Sequence, residues 1–292
     1  MARLRIATRG SAQAVTQAQA VAEQLSAVGY DTELVLIDTH GDRTQATNVP
    51  LHAIGGQGVF VKEVQRAVLD QRADIAVHSA KDLPTTEQPG LTIAAYTKRR
   101  SAADALIGRS LIDLPAGATV ATGSVRRRAQ LSRARPDLQF VELRGNIHTR
   151  LGKIPDGGSI VMAVAALEVL GLTDDITDVL DPAEFVPAVG QGCVAVEGRS
   201  GDHRVLDALS SIDHDVTRHE VTVERAFLAE LGSGCSLPVG AHVDAGRLYS
   251  FLAGEMSALV VSDTVDVSGD LDRDVDLARR TARAAHQRVT RG

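Results

Sequence analysis

Short apolar runs alternate with helix-like patterns along the first hundred residues. A strand-like run over 4–8 is followed by apolar positions at helical spacing over 13–28, and Gly29 is a natural stop. After a second strand pattern come a helix pattern over 60–69 and a buried-type strand over 74–77. Because strands separated by helices usually pair in parallel, this order predicts an α/β domain.

The same alternation restarts near Lys98. A strand pattern over 119–122, a helix over 125–134, a strand over 140–143 and a strand over 160–164 that leads into a helix ending at Gly171 predict a second α/β unit. The Gly-rich stretch 188–198 predicts a segment that crosses between units. Beyond it, a long helix pattern, short alternating runs and a final helix pattern predict a small α+β domain.

One short motif recurs between a strand and a helix in both units. It reads Thr8-Arg9-Gly10-Ser11 in the first and Thr122-Gly123-Ser124 in the second. Glycine permits close backbone approach, serine can cap the helix, and the helix N-terminus offers N–H donors with a positive dipole. A capped turn explains either motif alone, but its recurrence beside arginines favours an anion site.

Charge is strongly segregated along the chain. The net charge is −6, yet residues 98–153 contain twelve cations and four acids, a net of +8. Arg126, Arg127 and Arg128 at a predicted helix start oppose the helix dipole, so local stability does not explain them. A solvated basic face is one explanation and an anionic ligand the other. With 3% aromatic residues and an acidic whole, a small polycarboxylate or phosphate is favoured over nucleic acid.

Candidate reactive side chains occur at two further places. Lys81 and Asp82 follow an apolar strand, at the end where α/β sheets place ligand sites. Either they are an ordinary polar strand terminus, or Lys81 neutralises an anion while Asp82 acts as acid or base or stabilises a cation. Cys235, in a Gly-rich loop, is either a nucleophile or covalent anchor, or a small buried apolar residue. No metal site is predicted, because the cysteines and histidines lack ligand spacing.

Seven segments, taken together and in order, carry a resemblance over nearly the whole chain. They are RIATRGS (5–11), GGQGVFVKE (55–63), ADIAVHSAKDLP (73–84), TGSVRRRAQL (122–131), LRGNIHTRL (143–151), VPAVGQG (186–192) and ERAFLAELGSGCSLPVG (224–240). With these segments the chain resembles the hydroxymethylbilane synthase, or porphobilinogen deaminase, family.

The resemblance implies an α/β protein of three domains. Two lobes like those of periplasmic binding proteins, residues 1–97 with 193–212 and residues 98–192, are followed by a small α+β C-terminal domain, 213–292. It also implies an active site in the cleft between the first two domains.

The resemblance further implies a transferase of tetrapyrrole and heme biosynthesis. A dipyrromethane cofactor, held by a thioether to Cys235, acts as a primer. Four porphobilinogen molecules each lose ammonia and join head to tail, and water then releases hydroxymethylbilane. The partners are thus porphobilinogen and the growing oligopyrrole, and the family suggests a monomer.

Site residues carry over position by position. The resemblance implies that Asp82 is the catalytic residue and that the cofactor-binding residues are Cys235, Lys81, Arg126, Arg127, Ser124, Thr122 and Asn146. The substrate-binding residues are Arg9, Ser11, Arg144 and Arg150. Each pyrrole ring bears an acetate and a propionate, which arginine forks bind in bidentate fashion. The chain departs from the family at Gln57 and Val169, where many members have lysine and arginine, so these positions are left out of the site.

Two other functions fit parts of this pattern. A non-catalytic, two-lobed binding protein for a carboxylated small molecule would share the arginines but would not need Asp82 or Cys235. A nucleic-acid regulator with a basic patch is disfavoured by the scarcity of aromatic residues. The N-terminus lacks a signal-peptide pattern and no apolar run is long enough to span a bilayer, so we expect a cytoplasmic protein without membrane partners.

Overall fold

The computed structural model describes residues 3–39, 61–232, 237–254 and 259–291. The chain forms two compact units, Met1–Arg100 with Cys193–His219 and Ser101–Gly192 with Glu220–Gly292.

Short strands and helices alternate along most of the described chain. The first part contains β1 Leu4–Arg9, α1 Ala12–Ala27, β2 Thr32–Ile37, α2 Lys62–Leu69, β3 Ile75–Ser79, a 3-10 turn Ala80–Asp82 and β4 Leu91–Tyr96. Next come β5 Asp104–Ile107, β6 Thr119–Ala121, α3 Val125–Ala134, β7 Gln139–Val141, α4 Ile147–Leu151, β8 Ser159–Ala163, α5 Val164–Leu170, a 3-10 turn Thr173–Asp175 and β9 Asp178–Leu180. The last part contains β10 Val194–Arg199, α6 His203–Ser210, α7 Asp215–Glu230, β11 Val239–Asp244, β12 Arg247–Ala253, β13 Val260–Asp266 and α8 Leu271–Arg291.

Helix α1 shows how the predicted pattern becomes structure. Ala18, Val21 and Leu25 lie on one face and are buried against the first sheet. The helix ends where Gly29 takes a positive φ of 93° and its N–H donates to the carbonyl of Ser26. A positive φ is strained for residues with a Cβ, so glycine is the natural stop. The predicted helix over 13–28 is confirmed to within one residue at each end.

The sheet of the first unit has the strand order β2-β1-β3-β10-β4. Strand β1 pairs in parallel with β2 and β3, while β10 is antiparallel to both β3 and β4. The central strands are buried by helices, which explains their nearly continuous apolar sequences. The carboxyl ends of β1 and β3 therefore lie at the same edge of this sheet.

The first sheet of the second unit repeats this arrangement in the order β7-β6-β8-β5-β9. Strand β6 is parallel to β7 and β8, and β5 is antiparallel to β8 and β9. The two sheets thus correspond strand by strand. In the second sheet, β7, β6 and β8 take the places of β2, β1 and β3, and β5 and β9 take those of β10 and β4. The parallel strands were predicted, but the antiparallel fourth strand of each sheet was not.

The C-terminal part is a three-stranded antiparallel sheet, β11-β12-β13, with α8 packed on it. Ala278 and Ala282 of α8 pack in one core with Val243 and Leu248 of the sheet, because small helix residues allow close approach. The predicted α/β fold with a small α+β C-terminal part is confirmed. The exact limits of three domains stay a prediction, since contacts group 220–292 with the second unit.

Glu224, on α7, is a fully buried carboxylate that joins three segments of the second unit. Its Oε2 accepts a hydrogen bond from the Gly190 N–H at 2.8 Å, and its Oε1 accepts one from the Val243 N–H at 2.9 Å. The Nδ1 atom of His242 lies 3.2 Å from the same Oε1. A single side chain therefore fixes α7 to strand β11 and to the segment before β10.

One strand boundary was predicted too far along the chain. The apolar run 140–143 predicts a strand there, but β7 is Gln139–Val141 and Leu143 is buried in a loop. The chain turns soon after, where Gly145 has a φ of 114°. Leu143 is buried without being part of a strand, whereas Val141, which is in β7, is 46% exposed, so burial and strand formation do not coincide here.

Candidate active site

Asp82 and Lys81 lie in the 3-10 turn that directly follows β3. The Ala80 N–H donates to the carbonyl of Cys193 at 2.9 Å, which ties the start of this turn to the segment entering β10. Both side chains are partly exposed. Among the described residues, no hydrogen bond or ion pair engages the Asp82 carboxylate, so it can interact with a ligand.

The turn between β1 and α1 lies at the same sheet edge as Asp82. Arg9 is the last residue of β1, and Ser11 is the N-cap of α1, its Oγ accepting from the Ala14 N–H at 3.3 Å. Thr8, which is fully buried, donates from its hydroxyl to the Ala14 carbonyl at 3.1 Å. The first unit thus brings Arg9, Ser11, Lys81 and Asp82 to one edge of its sheet, as the positions of ligand sites in α/β folds lead one to expect.

The recurring motif forms a matching turn in the second unit, between β6 and α3. Ser124 is the N-cap of α3, its Oγ accepting from the Arg127 N–H at 3.4 Å. The Thr122 hydroxyl accepts from the Ser124 N–H at 3.2 Å. Because β6 corresponds to β1 in strand order, the two motifs are equivalent positions of two similar sheets.

Arg126 and Arg127 bind a carboxylate of the protein itself. Nη2 of Arg126 donates to Oδ2 of Asp104 at 2.7 Å, and Nε and Nη2 of Arg127 donate to Oδ1 at 3.0 and 2.6 Å. The exposed fractions are 5% for Arg126, 8% for Arg127 and 0% for Asp104. Their other bonds are to backbone carbonyls, Arg126 to Val186 at 2.7 Å and Arg127 to Val161 at 2.9 Å.

The charges of this buried cluster do not balance. Burial by itself raises the pKa of Asp104, but the two guanidinium groups outweigh it and hold that pKa well below its ordinary value. Asp104 is therefore ionised at neutral pH and offsets one of the two positive charges. Among the described residues, one positive charge remains uncompensated, which favours an anionic ligand.

Asp104 is the residue that the sequence reasoning missed. In the sequence, Asp104 is one of four acids in the basic segment, and its charge alone assigns it no role. The available signal was an acidic residue at the start of the apolar run over 104–107, a strand in which all four residues are buried. A buried acid requires a charged or hydrogen-bonding partner. The third consecutive arginine, Arg128, is by contrast exposed, with Nη2 3.7 Å from Oε1 of Glu142.

A second group of predicted residues follows β7, the strand beside β6. Asn146 is the N-cap of α4, its Oδ1 accepting from the Thr149 N–H at 2.9 Å. The Nε of Arg150 donates to the Gly145 carbonyl at 2.7 Å. Among the described residues, the guanidinium of Arg144 has no hydrogen-bonding or ionic partner. Since β6 and β7 are parallel, these residues lie at the same edge as Thr122 and Ser124.

Cys235, the predicted cofactor anchor, and Gln57, one of the two departures from the family, lie outside the described residues. Val169, the other departure from the family, lies in α5 and is partly buried. Within the described ranges, no group of three or more His, Cys, Asp or Glu side chains is arranged to hold a metal ion. No helix of the described part is both long and apolar enough to cross a membrane.

Fold and site together define an α/β protein whose two similar sheets present cationic and polar side chains at their strand ends. Residues 4–207 match the family model "Porphobilinogen deaminase, dipyromethane cofactor binding domain", and residues 218–273 match "Porphobilinogen deaminase, C-terminal domain".

Curated relatives agree with this match. The porphobilinogen deaminase of Thermobifida fusca is 48% identical over 247 residues, covering 82% of this chain and 76% of the relative. Those of Mycobacterium marinum and Acidothermus cellulolyticus are 44% and 46% identical, covering 91% and 96% of this chain and 88% and 87% of the relatives. Among solved structures, the methionine-binding protein MetQ is 13% identical with a TM-score of 0.46, over 74% of this chain and 92% of that one.

The chain belongs to the porphobilinogen deaminase family. The resemblance stated from seven segments is thereby confirmed, together with the enzyme class and the dipyrromethane cofactor.

Proposed function

We propose that this chain deaminates four porphobilinogen molecules, joins them head to tail on a covalently held dipyrromethane primer, and releases hydroxymethylbilane by hydrolysis. The observation that carries the proposal is the buried cluster of Arg126, Arg127 and Asp104, which keeps one uncompensated positive charge. Dipyrromethane carries an acetate and a propionate on each of its two rings. The residues present therefore fit the cofactor, because each carboxylate needs a cation and N–H donors.

The cofactor-binding residues that we propose are Cys235, Lys81, Arg126, Arg127, Ser124, Thr122 and Asn146. The proposed substrate-binding residues are Arg9, Ser11, Arg144 and Arg150. A carboxylate-binding role for Arg144 is supported by its guanidinium, which has no partner among the described residues and can take a carboxylate without breaking an existing bond. When bound, dipyrromethane supplies the pyrrole carbon to which the first porphobilinogen is joined.

The proposed catalytic residue is Asp82. Loss of ammonia leaves positive charge on the substrate ring, and a nearby carboxylate stabilises that charge. The same carboxylate can hold the pyrrole N–H groups in place and accept or return a proton as each unit is joined. Its position in a tight turn after β3, without a partner among the described residues, supports this role.

The covalent link to Cys235 and the working environment are also proposals. A thioether to Cys235 would keep the primer attached through all four additions. We further propose that the enzyme works as a monomer in the cytoplasm, with neither nucleic acid nor a membrane as partner. The net charge of −6 and the low aromatic content support the exclusion of nucleic acid.

The test is intact-protein mass spectrometry after expression in a host that makes porphobilinogen. We expect a mass above that of the sequence by two pyrrole units. Cys235→Ser should abolish this excess, whereas Cys193→Ala, at the buried cysteine, should retain it. An unmodified mass for the wild-type protein would refute the proposal.

The alternative, a binding protein for a carboxylated small molecule, is separated by a second measurement. Asp82→Asn should still bind porphobilinogen but should release no ammonia if the chain is the enzyme. A binding protein would release no ammonia in the wild-type form either.

A further inference from the structure

Asp104 connects more groups than an ordinary ion pair. Its Oδ1 accepts from Arg127 twice and also from the side-chain amide of Gln191 at 3.0 Å, while its Oδ2 accepts from Arg126. Gln191 is itself buried and donates to the Ala102 carbonyl at 2.7 Å. The carboxylate is thus fixed by contacts from two other parts of the second unit.

The two guanidinium groups depend on this carboxylate. Two buried cations repel each other, and each loses its hydration, so neither is held in place without an anion between them. Each arginine also donates to one backbone carbonyl, so the carbonyl and Asp104 together fix the orientation of its planar fork. Among the described residues, Arg126 uses two of its five N–H donors in these bonds and Arg127 uses three. The remaining donors are therefore held in fixed directions for an external acceptor.

We propose that Asp104 is a positioning residue of the active site, which holds Arg126 and Arg127 in the orientation that binds the carboxylates of dipyrromethane. Asp104 does not contact the cofactor in this proposal but acts through the two arginines. Gln191 supports it by holding Oδ1. This inference rests on the proposed function, because it assumes that the two arginines bind the cofactor.

The test compares Asp104→Asn with the wild type by the fraction of folded protein that carries the cofactor mass. Asparagine keeps the shape of the side chain but removes the charge and turns an N–H donor toward the arginines. We expect the loaded fraction, measured well below the melting temperature, to fall about tenfold or more, in the range seen when positioning residues of a site are removed. Asp137→Asn is the matched control, because Asp137 pairs with Arg135 at the surface, and it should load normally.

A kinetic readout separates positioning from a purely structural role. In the Asp104→Asn molecules that do carry the cofactor, a misplaced primer lowers kcat by about tenfold, since small displacements of a reacting group reduce the rate strongly. KM for porphobilinogen should stay unchanged, because the proposed substrate-binding residues are not attached to Asp104. Normal loading with unchanged kcat would overturn the proposal, even if the melting temperature were lower.

A second variant serves if Asp104→Asn does not fold. Asp104→Asn combined with Arg127→Met removes one cation together with the anion and restores the original excess of one positive charge. We then measure the rate at which cofactor-free protein gains the cofactor mass from porphobilinogen. A rate well below that of Arg127→Met alone supports the proposal, and an equal rate overturns it. Absence of cofactor from the wild-type protein would instead refute the proposed function.

Discussion

Replacing Glu224 by alanine provides a sharp test of the packing around α7. The change removes the acceptor of two buried N–H groups, those of Gly190 and Val243. An unpaired buried donor costs about 1–3 kcal/mol, so the two together are expected to lower the free energy of unfolding by about 4 kcal/mol. With an m-value of about 3 kcal/mol per molar urea, the unfolding midpoint should fall by roughly 1.3 M.

The assay is urea unfolding at neutral pH, followed by circular dichroism. Glu224→Gln should lose about half as much stability, because its carbonyl oxygen still serves one of the two N–H groups. Glu230→Ala is the matched control on the same helix: Glu230 is exposed and pairs with Arg283, so its loss should cost less than about 1 kcal/mol. A Glu224→Ala variant within about 1 kcal/mol of the wild type would refute the reasoning.

Four further outcomes follow from described contacts. The pKa of Asp104 is lower in the folded than in the unfolded state, so the free energy of unfolding should fall as the pH drops below about 4. The difference between the urea midpoints at pH 5 and pH 3 should therefore be smaller in Asp104→Asn than in the wild type. Ser11→Ala removes the N-cap of α1 and should cost about 1 kcal/mol in urea unfolding. Gly240→Ala places a Cβ 2.8 Å from the carbonyl oxygens of Val186 and Pro187 and should lower the melting temperature by several degrees in calorimetry. Arg144→Ala should leave the melting temperature unchanged but raise KM for porphobilinogen in a product assay.

The alternation of apolar runs was enough to predict the parallel strands and the helices that cover them. The position of each such element is determined by its own sequence. In α1, for example, the helical spacing of Ala18, Val21 and Leu25 defines the buried face. Strands β5 and β10 were not predicted, because their antiparallel places depend on where the chain returns. That information is not contained in a local hydrophobic pattern.

The candidate site shows the same limit. Segregation of charge and the recurring turn both indicated an anion site, near Arg126 and Arg127 in the second unit. The equivalence of the two turns follows only from the strand order of the two sheets. The partner of the two arginines could not be read from spacing, since Asp104 lies more than twenty residues away and meets them only through the sheet. The role of Cys235 came from the family resemblance, not from its local sequence.

The place of β10 in the first sheet sets an order for synthesis. Strand β10 lies between β3 and β4, yet it is made about a hundred residues after β4. Until β10 leaves the ribosome, β4 has no neighbour in that sheet and β3 has an unpaired edge. The sheet formed by β5 to β9 is built from one continuous stretch, so it can form first. The first sheet should therefore fold later than the sheet formed by β5 to β9. Its unpaired strand edges are open to aggregation until β10 has been synthesised.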